Sequence, residues 1–130
     1  MDSVLGRARS HAALGAGIAL VGLVLGAAPS AWGHVFPDHS EPRVGHTVEV
    51  APSVVRIWFD GDIEPVFSTV RVEGSDKQRV DSGDARVDAH DSTLLEVSLP
   101  PLPSGAYQVV WSAVARDGHR TEGSFPFRIK

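Results

Sequence analysis

The sequence of 130 residues contains no cysteine and only one methionine, Met1. The absence of cysteine excludes disulfides, thiolate metal sites and thiol redox pairs, so a folded domain must rely on its apolar core. The formal net charge is −4, and no cluster of basic residues indicates binding to nucleic acid. No window carries the apolar stripe of an amphipathic helix over a useful length. The chain is mildly acidic, and its length allows one domain at most.

The one long apolar run lies near the N-terminus. Two arginines precede the uncharged residues 12–28, and small residues follow at the −3 and −1 positions of a cleavage site after Gly33. A membrane-spanning helix needs roughly 20 apolar residues, and this run is shorter and rich in Gly and Ala. We therefore predict that residues 1–33 are a secretory signal peptide rather than an uncleaved anchor. The mature, soluble domain is then 34–130, and its first residue is His34.

Short segments with the character of β-strands follow along the mature chain. Apolar and polar residues alternate in them, and Gly, Pro, Asp or Ser bounds each one. Residues 34–42 are predicted to be irregular because of their prolines, and the polar region 75–91 is predicted to hold loops and short edge strands. The pattern predicts an all-β sandwich or barrel. The predicted strands are 46–50, 54–59, 66–73, 93–99, 106–115 and 121–129.

The alternation also predicts which side chains face the core. The large aromatic residues are interpreted as core residues, although one of them could line a metal site and exclude water from it. Apolar residues on both faces of 106–115 predict a central strand. The sets expected to share a face are Val55, Ile57 and Phe59; Val66, Val70 and Val72; Tyr107, Val109, Trp111 and Ala113; and Phe125, Phe127 and Ile129, with Trp58 among the aromatic core residues.

The segment Asp117-Gly118-His119 lies between the last two predicted strands. It carries a carboxylate and an imidazole two residues apart, and in an extended chain both would point the same way. Asp-Gly between apolar strands is also a common hairpin turn signal. By itself, the segment fits either a simple turn or half of a metal site.

His34 supplies the other half if the signal peptide is cut after Gly33. The residue then carries a free α-amino group, whose pKa of about 8 makes deprotonation for metal binding comparatively easy. The amine and imidazole of His34, with Asp117 and His119, provide three nitrogens and one oxygen. Tetragonal nitrogen and oxygen coordination favours Cu(II). The predicted metal ligands are therefore His34, Asp117 and His119, with His39 either an auxiliary ligand or a loop residue.

Several motifs taken together resemble the CopC copper-resistance family. The resemblance spans essentially the whole mature chain, and its most specific part is the C-terminal block. It implies an immunoglobulin-like β-sandwich or Greek-key barrel of about seven strands. It also implies a periplasmic protein that binds Cu(II) through its N-terminal histidine and an Asp-x-His pair, here His34, Asp117 and His119. The motifs are the mature start His34, Ser40-x-Pro42, the strand 54–59, Gly105-x-Tyr107-x-Val109-x-Trp111 and Asp117-Gly118-His119-x-x-x-Gly123-x-Phe125.

Two departures from the family refine this expectation. Some members carry a second, methionine-rich Cu(I) site, but Met1 is lost with the signal peptide, so no Cu(I) site is expected. Pro37 stands where many members have leucine, which affects the path of the N-terminal arm. We predict a protein that binds one Cu(II) ion per mature chain and sequesters or carries it in copper homeostasis and resistance. Delivery to an inner-membrane copper transporter would require docking.

Two other functions fit part of the pattern. A copper-dependent redox enzyme would use the amine and imidazole as a histidine brace, but Asp117 would occupy part of its coordination sphere and no substrate platform is evident. A metal-free immunoglobulin-like interaction module would use Asp117 and His119 only as a turn. We predict a copper-binding protein that is not an enzyme.

Overall fold

The computed structural model describes residues 33–130, so the predicted signal peptide lies outside the described residues apart from Gly33. The described part consists of eight β-strands joined by turns and loops. Residues 33–130 include no candidate for a membrane-spanning helix. The strands are β1 Pro37–Glu41, β2 Thr47–Val48, β3 Val54–Phe59, β4 Thr69–Gly74, β5 Arg86–Val87, β6 Leu94–Ser98, β7 Gly105–Val114 and β8 Arg120–Ile129.

The strands form two four-stranded sheets with the orders β1-β3-β6-β5 and β2-β8-β7-β4. Neighbours are antiparallel except for β2 and β8, which are parallel. Buried residues of both sheets make up one hydrophobic cluster, as in a sandwich. Of the two predicted architectures, the sandwich is right, and the described strands do not close into a barrel.

Strands β3, β7 and β8 confirm the prediction from alternation. β3 has the predicted bounds, and its inward residues Val55, Ile57 and Phe59 are all buried. β7 and β8 pair along ten residues each. β7 lies between β8 and β4, so the prediction of a central strand is confirmed. The short strand β5 lies at a sheet edge, as predicted for the polar region 75–91.

The structure corrects two predictions. Residues 34–42 are not irregular throughout, because β1 pairs with β3 at the edge of its sheet. An edge strand tolerates proline, since one of its sides makes no ladder bonds. Val66 does not face the core with Val70 and Val72: it is 86% exposed. The reason is a turn in which the Glu64 carbonyl accepts hydrogen bonds from the amides of residues 67 and 68, so the strand begins only at residue 69.

Gly123 is required by the packing between β7 and β8. It is paired with Trp111 across the two strands, and a Cβ atom at Gly123 would lie 2.6 Å from Cζ2 of that indole. Trp111 is 7% exposed and meets the ring of Phe59 edge-on at a centroid distance of 5.3 Å. The indole therefore has little room to move away from an added methyl group.

Replacement of Gly123 by alanine is accordingly expected to destabilise the protein by about 1–3 kcal/mol, the usual cost of overpacking a core. Urea unfolding followed by tryptophan fluorescence measures the loss. Ser124→Ala is the matched control, because Ser124 is exposed and its replacement should stay within about 0.5 kcal/mol of the unchanged protein. An equal unfolding midpoint for the two variants would show that the indole is not confined.

Candidate metal centre

The Asp117-Gly118-His119 segment forms the tip of the β7–β8 hairpin, as predicted. The amide of Gly118 donates to the carbonyl of Ala115, and the amide of Ala115 donates to the carbonyl of His119, both at 2.9 Å. Gly118 has a φ of 89°, a left-handed conformation that glycine adopts without a steric penalty. The tip is therefore a tight turn with a defined shape.

Asp117 and His119 contact each other within this turn. Oδ1 of Asp117 accepts a hydrogen bond from the His119 amide at 3.0 Å, and Oδ2 lies 3.0 Å from Nδ1 of the His119 ring. The segment is not extended, so the condition under which alternation would align the two side chains is not met. An Asx-type turn, in which an aspartate binds the amide two residues later, brings them together instead. About a third of each side chain is exposed, 36% for Asp117 and 34% for His119.

The carboxyl of Asp117 has a pKa below its ordinary value. The largest cause is the hydrogen bond from the His119 amide, followed by the His119 side chain, while desolvation acts in the opposite direction. A hydrogen bond from the backbone of Gly33 also contributes. Asp117 is thus an ionised carboxylate near neutral pH, with two possible uses: to bind a metal directly or to orient the His119 ring.

His34 lies beside this turn. Its imidazole stacks on the imidazole of His119, with ring centroids 5.4 Å apart and planes inclined by 21°. It also stacks on the ring of Phe36, at 6.2 Å and 8°. The fold therefore brings the residue that would begin the mature chain against the hairpin tip, although His34 and His119 are distant in sequence.

The three predicted ligands are neighbours, but they do not form a complete metal site as the chain stands. Within residues 33–130, no group of three or more His, Asp or Glu side chains is arranged to hold a metal ion. His34 is joined to Gly33 by a peptide bond in this chain, so its backbone nitrogen is an amide. The structure therefore shows His34 without a free α-amine.

The remaining histidines of residues 33–130 lie in other surroundings. His39, on β1, stacks on Trp58 at a centroid distance of 4.5 Å, and its Nδ1 lies 2.8 Å from the Asp38 carboxylate. Trp58 is only half-buried, so its interpretation as a core residue is wrong: it faces outward beneath His39. His46 and His90 are exposed.

Comparison with known proteins gives a consistent result. A model of the CopC domain matches residues 38–130. Protein YobA of Escherichia coli K12 is 31% identical over 103 residues, which cover 78% of this chain and 83% of that protein. Copper resistance protein C of Escherichia coli is 29% identical over 116 residues, covering 84% of this chain and 91% of that protein. The crystal structure of CopC from Methylosinus trichosporium OB3b is similar, with a TM-score of 0.70, 29% identity and coverage of 75% of this chain and 94% of that chain.

Proposed function

The chain belongs to the CopC family of copper-resistance proteins, and from this premise we propose that it binds one Cu(II) ion after export to the periplasm. In this proposal residues 1–33 are removed as a signal peptide, and the mature protein sequesters copper or carries it to an inner-membrane copper transporter. The protein is a binding protein and performs no catalysis, so copper is its cargo.

The observation that carries the proposal is the contact between His34 and the hairpin tip. The His34 ring lies on the ring of His119, and His119 lies against Asp117. The backbone of Gly33 is close enough to Asp117 to contribute to the lowered pKa of its carboxyl. Both the side chain of His34 and the backbone directly before it are therefore next to the two loop residues, where a new α-amine would arise.

Cleavage after Gly33 would convert the amide nitrogen of His34 into an amine. An α-amine has a pKa of about 8 and loses its proton readily to a metal, whereas an amide nitrogen is a poor ligand at neutral pH. His34 would then bind through two nitrogens, His119 through a third and Asp117 through an oxygen. We assign Asp117 as a ligand because its carboxylate is ionised and partly exposed.

The donor set selects the oxidation state of copper. Imidazole, amine and carboxylate groups suit Cu(II), which forms tetragonal complexes with nitrogen and oxygen ligands. Cu(I) prefers the sulfur atoms of Cys and Met, and the sequence has no cysteine and no methionine other than Met1. The proposal therefore includes no methionine site for Cu(I).

Titration of the exported protein with Cu(II) tests the proposal. The intact mass should correspond to a chain that begins at His34, and electron paramagnetic resonance should show one tetragonal, nitrogen-rich site that saturates at one equivalent. Oxygen consumption with ascorbate should not exceed that of the same amount of copper bound to a simple chelator. Absence of Cu(II) binding would overturn the proposal, and fast oxygen consumption would favour a redox enzyme instead.

A further inference from the structure

We propose that Thr121 and Asp60 are positioning residues of the copper site, because they hold the backbone of the N-terminal arm, residues 34–36, directly behind its first ligand. This inference rests on the proposed function, since it concerns how His34 is presented to the metal. Neither residue has a side chain that needs to touch copper. Their role is to fix where the first residue of the mature chain lies.

Thr121 holds the arm from the second sheet. Its Oγ1 donates a hydrogen bond of 2.6 Å to the carbonyl oxygen of Val35, the residue that follows His34. Thr121 is 8% exposed, so water has little access to compete for this bond. It lies near the start of β8, two positions after His119. The proposed ligand His119 and the group that binds the arm are therefore separated by a single residue at the start of this strand.

Asp60 holds the arm from the first sheet. It directly follows β3, and its Oδ1 accepts a hydrogen bond from the Phe36 amide at 2.9 Å. Its own amide donates to the Phe36 carbonyl oxygen, also at 2.9 Å. The second bond belongs to the backbone and any residue could make it, but the first requires an acceptor on the side chain of residue 60.

The side chain of Val35 completes the attachment. Val35 is 5% exposed and belongs to the hydrophobic core. It also lies close to Gly61, where an added Cβ would be 3.2 Å from Cγ1 of Val35. The arm is thus bound to both sheets and anchored in the core one residue after His34. Most of the freedom of His34 is removed before copper arrives, which lowers the entropic cost of binding.

Two pairs of variants of the exported protein test this role. Thr121→Val keeps the shape of the side chain but removes the hydroxyl, while Thr121→Ser keeps the hydroxyl. Asp60→Ala removes the acceptor, while Asp60→Asn keeps an oxygen that can accept from Phe36. Since Asp60 is exposed, its variants should fold even if a change at the buried Thr121 prevents folding.

Thr121→Val and Asp60→Ala are each expected to weaken Cu(II) binding about tenfold, the equivalent of roughly one lost hydrogen bond. The Cu(II) affinities of the two conservative variants should stay within about twofold of that of the unchanged protein. In the copper-free protein, hydrogen exchange at the Phe36 amide should become faster in Asp60→Ala than in Asp60→Asn. Binding is measured by competition with a Cu(II) chelator, and the fraction of folded protein by circular dichroism.

The results separate this inference from the proposed function. If the unchanged protein does not bind Cu(II), both are wrong. If it binds and all four variants bind equally well, the proposed function stands and the positioning role is wrong. The positioning role would also be wrong if the loss of Cu(II) binding in each variant were no larger than its unfolded fraction. It would be wrong as well if Thr121→Ser and Asp60→Asn lost as much affinity as Thr121→Val and Asp60→Ala.

Discussion

A chain that retains Gly33 ahead of His34, with the α-amine of Gly33 acetylated so that it cannot replace that of His34 as a ligand, is expected to bind Cu(II) at least about 100-fold more weakly than the chain that begins at His34. Changes to groups that merely support metal ligands already cost 10–100-fold, and here a ligand itself is removed. The α-amine becomes an amide, and the chelate formed by the amine and imidazole of His34 is lost. Competition with a chelator of known affinity, at neutral pH, measures the difference.

The structure indicates that this comparison isolates the effect of the α-amine. Gly33 precedes His34 in the described chain, yet the arm is still attached and the His34 ring still stacks on His119. Retaining Gly33 should therefore leave the fold and the position of the imidazole unchanged. A chain that begins at His34 and carries an extra glycine after Lys130 is the matched control and should bind normally. Equal affinities for the two extended chains would remove the amine from the ligand set.

His119→Ala should have a comparable effect, weakening Cu(II) binding by about 100-fold or more, since loss of a ligand exceeds the 10–100-fold cost of losing a supporting group. The imidazole is the only nitrogen that the hairpin tip offers through a side chain. Its removal would leave Asp117 and the two nitrogens of His34. The paramagnetic resonance spectrum of any copper that still binds should show fewer coupled nitrogens than that of the unchanged protein.

The hairpin itself should survive His119→Ala, because the backbone of residue 119 makes the hydrogen bonds that close the turn. His90→Ala is the matched control, since His90 is exposed in a loop and is not among the proposed ligands. It should bind Cu(II) like the unchanged protein. If His119→Ala also bound normally, the loop would be only a turn, and the metal-free interpretation of Asp117 and His119 would gain support.

The proposed site has a consequence for where copper is acquired. Its ligand set is incomplete while His34 is part of a peptide bond, so the precursor would bind Cu(II) weakly. Removal of the signal peptide would then complete the site after export. Copper binding would thus begin only in the compartment where the mature protein works.

Local sequence predicts most of the sandwich because strand alternation has a short period. In β3 and in the β7–β8 hairpin, successive side chains alternate between the core and the solvent. Apolar residues occupy the positions that face the core, so the alternation can be read from the sequence. The prediction failed where a tertiary contact decided the outcome. Residues 37–41 form β1 because they pair with β3. Val66 points outward because a turn that begins at Glu64 precedes the next strand.

The sequence by itself determined the kinds of candidate ligand available, the absence of sulfur donors beyond Met1 and the hairpin that carries Asp117 and His119. Only the tertiary structure decided that His34 lies against that hairpin. The arm is held by a hydrogen bond between Val35 and Thr121, which are 86 positions apart. Every residue has a backbone carbonyl, so no local pattern shows which one Thr121 will bind. Packing of the two sheets selects that carbonyl and thereby brings the two halves of the proposed site together.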